Sequence, residues 1–324
     1  MVSRTKVSAR AHVVHGLART FLRPAMRWWP LTPVTMAPIT WFDHAMRLLP
    51  KPRGVRFERA GFDGYHGEWA RAADARDDGA VLYFHGGAFL FCGLGTHRAI
   101  AAMLSSTAKV PVLSVAYRQL PAVPLLGTIE DCLGAYRSLL DAGYAPDRIV
   151  FAGDSAGGHL AFATALRAMA TGLPGPGGLV AISPWLDFDA GAKLVHENAR
   201  KDAYIPSVRL EAIAAMCAGG VTPIDRMLSP VNHDLSELPP SLIIVAEGEI
   251  LRADGELMAA RLDDAGVPCE LQVWPGQVHA FPVLAQLLPE SRAAVRGIGG
   301  FVRSVLASSE AETTQQQEEA SVSA

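Results

Sequence analysis

The sequence predicts an α/β protein built on a mostly parallel, eight-stranded sheet flanked by helices, with a helical cap. Strand-like runs lie near residues 55–60, 65–70, 80–85, 112–117, 148–152, 178–182, 241–246 and 269–274. From the third run onward they alternate mainly with helical stretches, which is the rhythm of crossover connections between parallel strands. Half of the 324 residues are hydrophobic, enough to cover both faces of such a sheet. α/β folds of this length commonly form one body with an inserted lid. Residues 185–232 interrupt the rhythm and are expected to supply that lid together with residues 1–50. This leaves 51–184 and 233–307 as the core.

The fifth run, Arg148-Ile149-Val150-Phe151-Ala152, feeds directly into Gly153-Asp154-Ser155-Ala156-Gly157-Gly158 and then an apolar helical stretch. That is a G-x-S-x-G nucleophile elbow in its strand–turn–helix setting, with Ser155 exposed at the carboxyl edge of the sheet. Only the near-absent side chains of Gly153 and Gly157 let neighbouring chain pass so closely. The helix starting near Ala156 adds unpaired N–H groups beside the site, where an acyl-transfer oxyanion develops.

The third run, Ala80-Val81-Leu82-Tyr83-Phe84, ends in His85-Gly86-Gly87-Ala88-Phe89. A loop so poor in side chains can turn its amides inward to hold an oxyanion. On its own it is an ordinary glycine turn with His85 packing the loop; paired with the elbow it gains chemical meaning.

These two motifs, with Tyr117-Arg118, Leu228-Ser229-Pro230, Leu238-Pro239-Pro240 and Trp274-Pro275-Gly276-Gln277-Val278-His279-Ala280-Phe281, follow one another over roughly residues 80–282. In this order they resemble the bacterial hormone-sensitive-lipase-like (family IV) esterases of the α/β-hydrolase fold. The resemblance implies an oxyanion hole formed by the amides of Gly87, Ala88 and Ala156. Ala88 departs from the glycine usual there, but alanine keeps the N–H. A second departure is Gln119-Leu120-Pro121, where the family commonly has Leu-Ala-Pro-Glu.

A serine hydroxyl needs a base that is itself oriented by a third group. In this fold the order is nucleophile, acid, histidine. Among the histidines that follow Ser155 are His196, His233 and His279, and His279, after the strand pattern Cys269–Trp274 and a Pro275-Gly276 turn, falls on the family's histidine. His196 and His233 sit in the predicted lid without such support. The acid is expected just past the buried run Ser241–Ala246, where Glu247, Glu249 and Asp254 are candidates. Aligning Leu251 with the family's Asp-Pro-Leu favours Glu249. Glu247 is its nearest rival, and Asp254 reads as the start of the next helix.

The resemblance implies a serine carboxylesterase acting on short- to medium-chain acyl esters, with no metal or organic cofactor. The alternatives are a non-catalytic small-molecule-binding protein on the same scaffold, or a hydrolase of amides or lactones. Cys92, Cys132, Cys217 and Cys269 are scattered without a C-x-x-C, so buried free thiols are expected.

Residues 1–59 hold eleven Lys+Arg against two Asp+Glu in a chain of net charge −3. With Phe21, Trp28, Trp29, Trp41 and Phe42 interspersed, this segment is expected to be an amphipathic cap whose aromatics line the acyl pocket, or a peripheral contact with an anionic membrane. No uncharged stretch is long enough to span a bilayer, and no signal-peptide pattern opens the chain. A cytoplasmic protein without a nucleic-acid partner is expected, and oligomeric state is not readable. The Ser-, Thr-, Gln- and Glu-rich segment 308–324 reads as a disordered tail.

Overall fold

The computed structural model describes residues 7–30, 43–48, 51–221 and 223–322, with side chains through residue 310. Trp41 and Phe42 lie outside the described residues. The eight strands are β1 (Val55–Gly61), β2 (His66–Ala72), β3 (Ala80–Phe84), β4 (Val112–Ala116), β5 (Ile149–Asp154), β6 (Gly178–Ile182), β7 (Ser241–Ala246) and β8 (Cys269–Trp274). They form one sheet in the order β1-β2-β4-β3-β5-β6-β7-β8. β2 pairs antiparallel with β1 and β4; every other pairing is parallel. The predicted sheet and its alternation are both present.

The helices include α1 (Ala9–Leu17), α2 (Arg23–Trp28), α3 (Leu94–Ala108), α4 (Leu125–Asp141), α5 (Ala156–Ala170), α6 (Gly191–Val195), α7 (Asn198–Lys201), α8 (Leu210–Cys217), α9 (Arg252–Asp264) and α10 (Pro289–Val322). Successive strand side chains point to opposite faces, so each central strand serves two cores. Leu82, Phe84, Phe151, Leu179 and Val245 pack under α4, α5 and α9. Val81, Tyr83, Val150, Val180 and Ile244 pack under α3 and α10. Each large side chain so buried contributes about 1.5–3 kcal/mol, which fixes the strand register and hence the height of every loop at the carboxyl edge.

Two further pieces lie beyond that edge. Between β6 and β7 come the short helices α6, α7 and α8; across them runs the amino-terminal rod α1–α2, joined through a π-helical turn at Ala18–Leu22. Arg19 Nη1 donates to the Lys201 carbonyl at 3.1 Å, and Arg209 Nη2 donates to that of Trp29 at 2.7 Å. At the other end, α10 carries helical backbone through residues 308–322, the stretch whose composition reads as disordered. Its Ala, Glu and Gln residues are good helix formers.

Candidate active site

β5 delivers its last residue, Asp154, to the centre of the sheet's carboxyl edge, and Ser155 then takes φ 55° and ψ −117°. The turn closes because its glycines lack side chains. A Cβ on Gly153 would run into the Gly157 carbonyl, and one on Gly157 into that of Phe84. Ser155 N–H donates to Ile182 O at 2.8 Å, which extends the β5–β6 ladder into the turn and anchors the strained residue.

The loop after β3 bends immediately. Gly87, Ala88 and Phe89 have φ of 116°, 53° and 62°, and the Gly87 carbonyl accepts from Leu90 and Phe91 N–H at 3.0 and 3.1 Å. Among the described residues, no hydrogen bond engages the amides of Gly87, Ala88 or Ala156. Gly87 and Ala88 line the same cavity as Ser155.

Asp154 holds this loop from behind. Its buried carboxylate accepts from Tyr83 Oη at 2.7 Å and Gly86 N–H at 3.0 Å, and lies 3.1 Å from His97 Nε2. Burial pushes the Asp154 pKa up, but His97, Tyr83 and His85 outweigh it and hold the carboxyl below its usual range. Burial pushes His97 down, and Asp154 more than reverses this. The two therefore form a buried ion pair. His85, by contrast, is lowered to about 4 by burial and then by His97. Its ring stacks on Tyr117 at 4.2 Å, and Tyr117 Oη donates to the His85 carbonyl at 2.5 Å. Gln119, a departure from the family pattern, donates to the Phe91 carbonyl at 2.8 Å and braces the loop.

Past β7 the chain turns sharply, and Glu249 folds back so that Oε1 accepts Ala246 N–H at 2.7 Å. That reach absorbs the extra methylene of a glutamate. Oε2 lies 2.7 Å from His279 Nδ1, with both residues buried. Glu247 is exposed. Asp254 sits in the first turn of α9, but its carboxylate faces away, accepting from the Leu186 and Asp187 amides and pairing with Lys193 Nζ at 2.8 Å. Of the three candidate acids, only Glu249 meets His279.

His279 is carried by the loop after β8, where Ala280 (φ 52°) donates to Ser183 Oγ at 3.0 Å. Burial lowers the His279 pKa, but the Glu249 hydrogen bond and charge, with Asp202 and Asp154, overcome this and leave it raised. With Nδ1–H directed at Glu249, Nε2 is the ring's free basic position. Ser155 and His279 both line one cavity of about 850 Å³. Leu17, Phe21, Trp185, Tyr204 and Ile213 make its walls mainly apolar. Among the described aromatics of the amino-terminal segment, Phe21 lines this cavity and Trp28 and Trp29 do not.

His196 lies 4.0 Å from Glu256, and the half-buried His233 ring meets the Met227 carbonyl; neither lines the cavity. All four cysteines are free. Cys92 lines the cavity, where burial pushes its thiol up to about 12, so it stays protonated near neutral pH. Among the described residues, no group of three His, Cys, Asp or Glu is placed to hold a metal ion, and no helix is long and apolar enough to cross a membrane.

Sequence reasoning missed Asp154, His97, Asn198 and Asp202. Asp154 carried a signal, since an acid ending an apolar central strand requires a partner. The others bond to site residues some fifty positions away in the chain, as Asn198 does with Glu249.

A family model described as the alpha/beta hydrolase fold matches residues 81–283. The esterase LipU of Mycobacterium tuberculosis is 43% identical over 230 residues, 69% of this chain and 77% of LipU. The carboxylesterase/phospholipase LipF of the same organism is 39% identical over 289 residues, 86% of this chain and 77% of LipF. A crystal structure of an esterase from the bacterial hormone-sensitive lipase family superposes with a TM-score of 0.84 at 33% identity, covering 93% of this chain and all of that one. The order of sheet, elbow, acid turn and histidine loop, together with this likeness, makes the chain a member of the α/β-hydrolase family, in its bacterial hormone-sensitive-lipase-like group.

Proposed function

We propose that this protein is a serine carboxylesterase that hydrolyses short- to medium-chain acyl esters through an acyl-enzyme. The observation that carries the reading is the buried 2.7 Å contact of His279 Nδ1 with Glu249, on a ring that shares one apolar cavity with Ser155. His279 Nε2 takes the Ser155 hydroxyl proton as Oγ bonds to the ester carbonyl carbon. The tetrahedral oxyanion is received by the N–H groups of Gly87, Ala88 and Ala156. Glu249 holds the imidazole tautomer and stabilises the imidazolium. Collapse breaks the bond to the alkoxy oxygen, which leaves as alcohol with the proton from His279. Water, deprotonated by the same ring, then attacks the acyl-enzyme, releasing the acid and restoring Ser155.

The esterase and carboxylesterase names of the relatives support this chemistry, as does the acetyl-hydrolase of Streptomyces hygroscopicus at 36% identity over 73% of this chain and 79% of that one. Amide or lactone hydrolysis would use the same groups, and an apolar cavity favours acyl chains over polar substrates. The test is p-nitrophenyl butyrate with wild type and Ser155→Ala. The wild type gives a rapid burst of nitrophenol before steady turnover, and the variant loses activity by a factor on the order of 10³ or more. Equal rates would end the enzyme reading in favour of a ligand-binding protein. An acyl-chain series then ranks substrate length against the cavity.

The finer reading of partners concerns the basic rod α1–α2, which we take to meet anionic membrane surfaces peripherally. Support comes from Phe21 and Trp28, which are 68% and 76% exposed, among Arg10, Arg19 and Arg27 and with no acidic residue from 7 to 30.

A further inference from the structure

The turn that presents Glu249 is held from outside the sheet by two buried polar side chains of the segment between β6 and β7. Asn198 Nδ2 donates to the Glu247 carbonyl at 2.7 Å and the Glu249 carbonyl at 3.0 Å. Asp202 Oδ2 accepts Ile250 N–H at 2.7 Å, and Oδ1 accepts Tyr204 and Ile205 N–H at 2.6 and 2.9 Å. Both side chains are about 1% exposed, and Asp202 N–H donates back to the Asn198 carbonyl at 2.9 Å. α7 and the residue after it thus make a two-pronged clamp on the acid turn.

We infer that Asp202, with Asn198, is a positioning residue for the Glu249–His279 pair: the two side chains fix the turn that presents the acid. The inference rests on the assignment of that pair given above. A buried carboxylate without a cationic side-chain partner is costly. Asp202 is retained with three amide donors instead, which favours its ionised form. The charged or titratable groups facing His279 are Glu249, Asp202 and Asp154, and Tyr204 lies beside its ring with centroids 5.4 Å apart. Those facing Asp202 are His279, Tyr204 and, from α1, His15. Burial raises the Asp202 pKa against the pull of Ile250, Tyr204 and His279.

The same clamp continues into the cavity wall. Tyr204, Ile205 and Pro206, directly after Asp202, line the space beside Ser155. The segment that shapes the acyl or alcohol pocket and the segment that seats the acid are therefore one piece of chain. A shift of this wall is transmitted to Glu249 through hydrogen bonds to backbone, which leave little slack.

The experiment compares pH profiles of kcat/KM on p-nitrophenyl butyrate for wild type, Asp202→Asn and Asn198→Ala, with folding checked by circular dichroism. An asparagine cannot accept from both sides, so at least one amide meets a donor and the turn loosens. Asp202→Asn is expected to lose about tenfold to a hundredfold in kcat, the scale of a misplaced catalytic group, with KM within a few-fold. Its acid limb moves to lower pH, because a negative charge that favoured imidazolium is gone. Asn198→Ala loses kcat with its acid limb in place. Wild-type kcat in Asp202→Asn, or a loss without displacement of the limb, overturns the inference. Should Asp202→Asn fail to fold, Asn198→Ala decides, and wild-type kcat there overturns it. Turnover by Ser155→Ala would instead sink the underlying site assignment; an inert Ser155→Ala beside a wild-type-like Asp202→Asn sinks the clamp alone.

Discussion

Ser155 sits at φ 55° and ψ −117°, a conformation that costs an L residue about 1–3 kcal/mol. The surrounding turn over-determines it: Ser155 N–H is bonded to Ile182, and its carbonyl accepts from His159 and Trp185. Glu249 is the residue whose role is most open to test. Glu249→Gln keeps the side chain's shape but removes the charge that raises the His279 pKa and fixes its tautomer. We expect kcat to fall by about 10⁴, the drop seen when the third member of a triad is neutralised. The base must be neutral, so wild-type kcat/KM falls as pH drops through a value above the ordinary 6.5. In Glu249→Gln that limb moves to lower pH, and a limb at or above the wild-type position would remove Glu249 from the assignment.

Among the elements, α6 and α9 are locked by a buried ion pair whose two residues do not line the cavity. Lys193 Nζ is about 1% exposed, bonds Asp254 at 2.8 Å and donates to the Asp187 and Asp189 carbonyls. Burial lifts Asp254 to about 6 in spite of Lys193. Lys193→Met leaves that carboxylate without its cation, and breaking such a pair costs about 3–5 kcal/mol. Urea unfolding at pH 8 should show the loss while the acid limb of the surviving activity stays in place. A cost below about 1 kcal/mol would mean that the pair is idle. This pair marks a boundary of what the chain declares. Asp254 could be read as a helix-start carboxylate because its neighbours in sequence say so, and it does stand in the first turn of α9. Lys193 carried no sign of burial, since its partner is 61 residues away. The glycines of the elbow were legible for the opposite reason: their clashes involve Phe84 and each other, inside motifs that the chain spells out.

The whole molecule presents its pocket beneath the rod α1–α2, whose Leu17 and Phe21 both line the cavity and reach solvent. If that face meets anionic lipid, wild type should cosediment with phosphatidylglycerol vesicles and less so as salt rises. At about 1 kcal/mol per basic residue near the surface, the double substitution Arg19→Glu and Arg27→Glu should weaken partitioning at least tenfold. Equal binding to neutral phosphatidylcholine vesicles, or no effect of the substitutions, would argue against the charge-led docking.

The amino-acid sequence by itself determined the sheet, the elbow at Ser155, the glycine loop and the nomination of His279, because each is written in local periodicity or in glycines needed within a few residues. Which of three carboxylates reaches the imidazole, what braces the loop at Gly86, and how Asn198 and Asp202 grip the acid turn were decided only in the tertiary structure. Those choices are contacts between segments distant along the chain, and a buried polar group's partner is set by where the packed sheet brings its loops together.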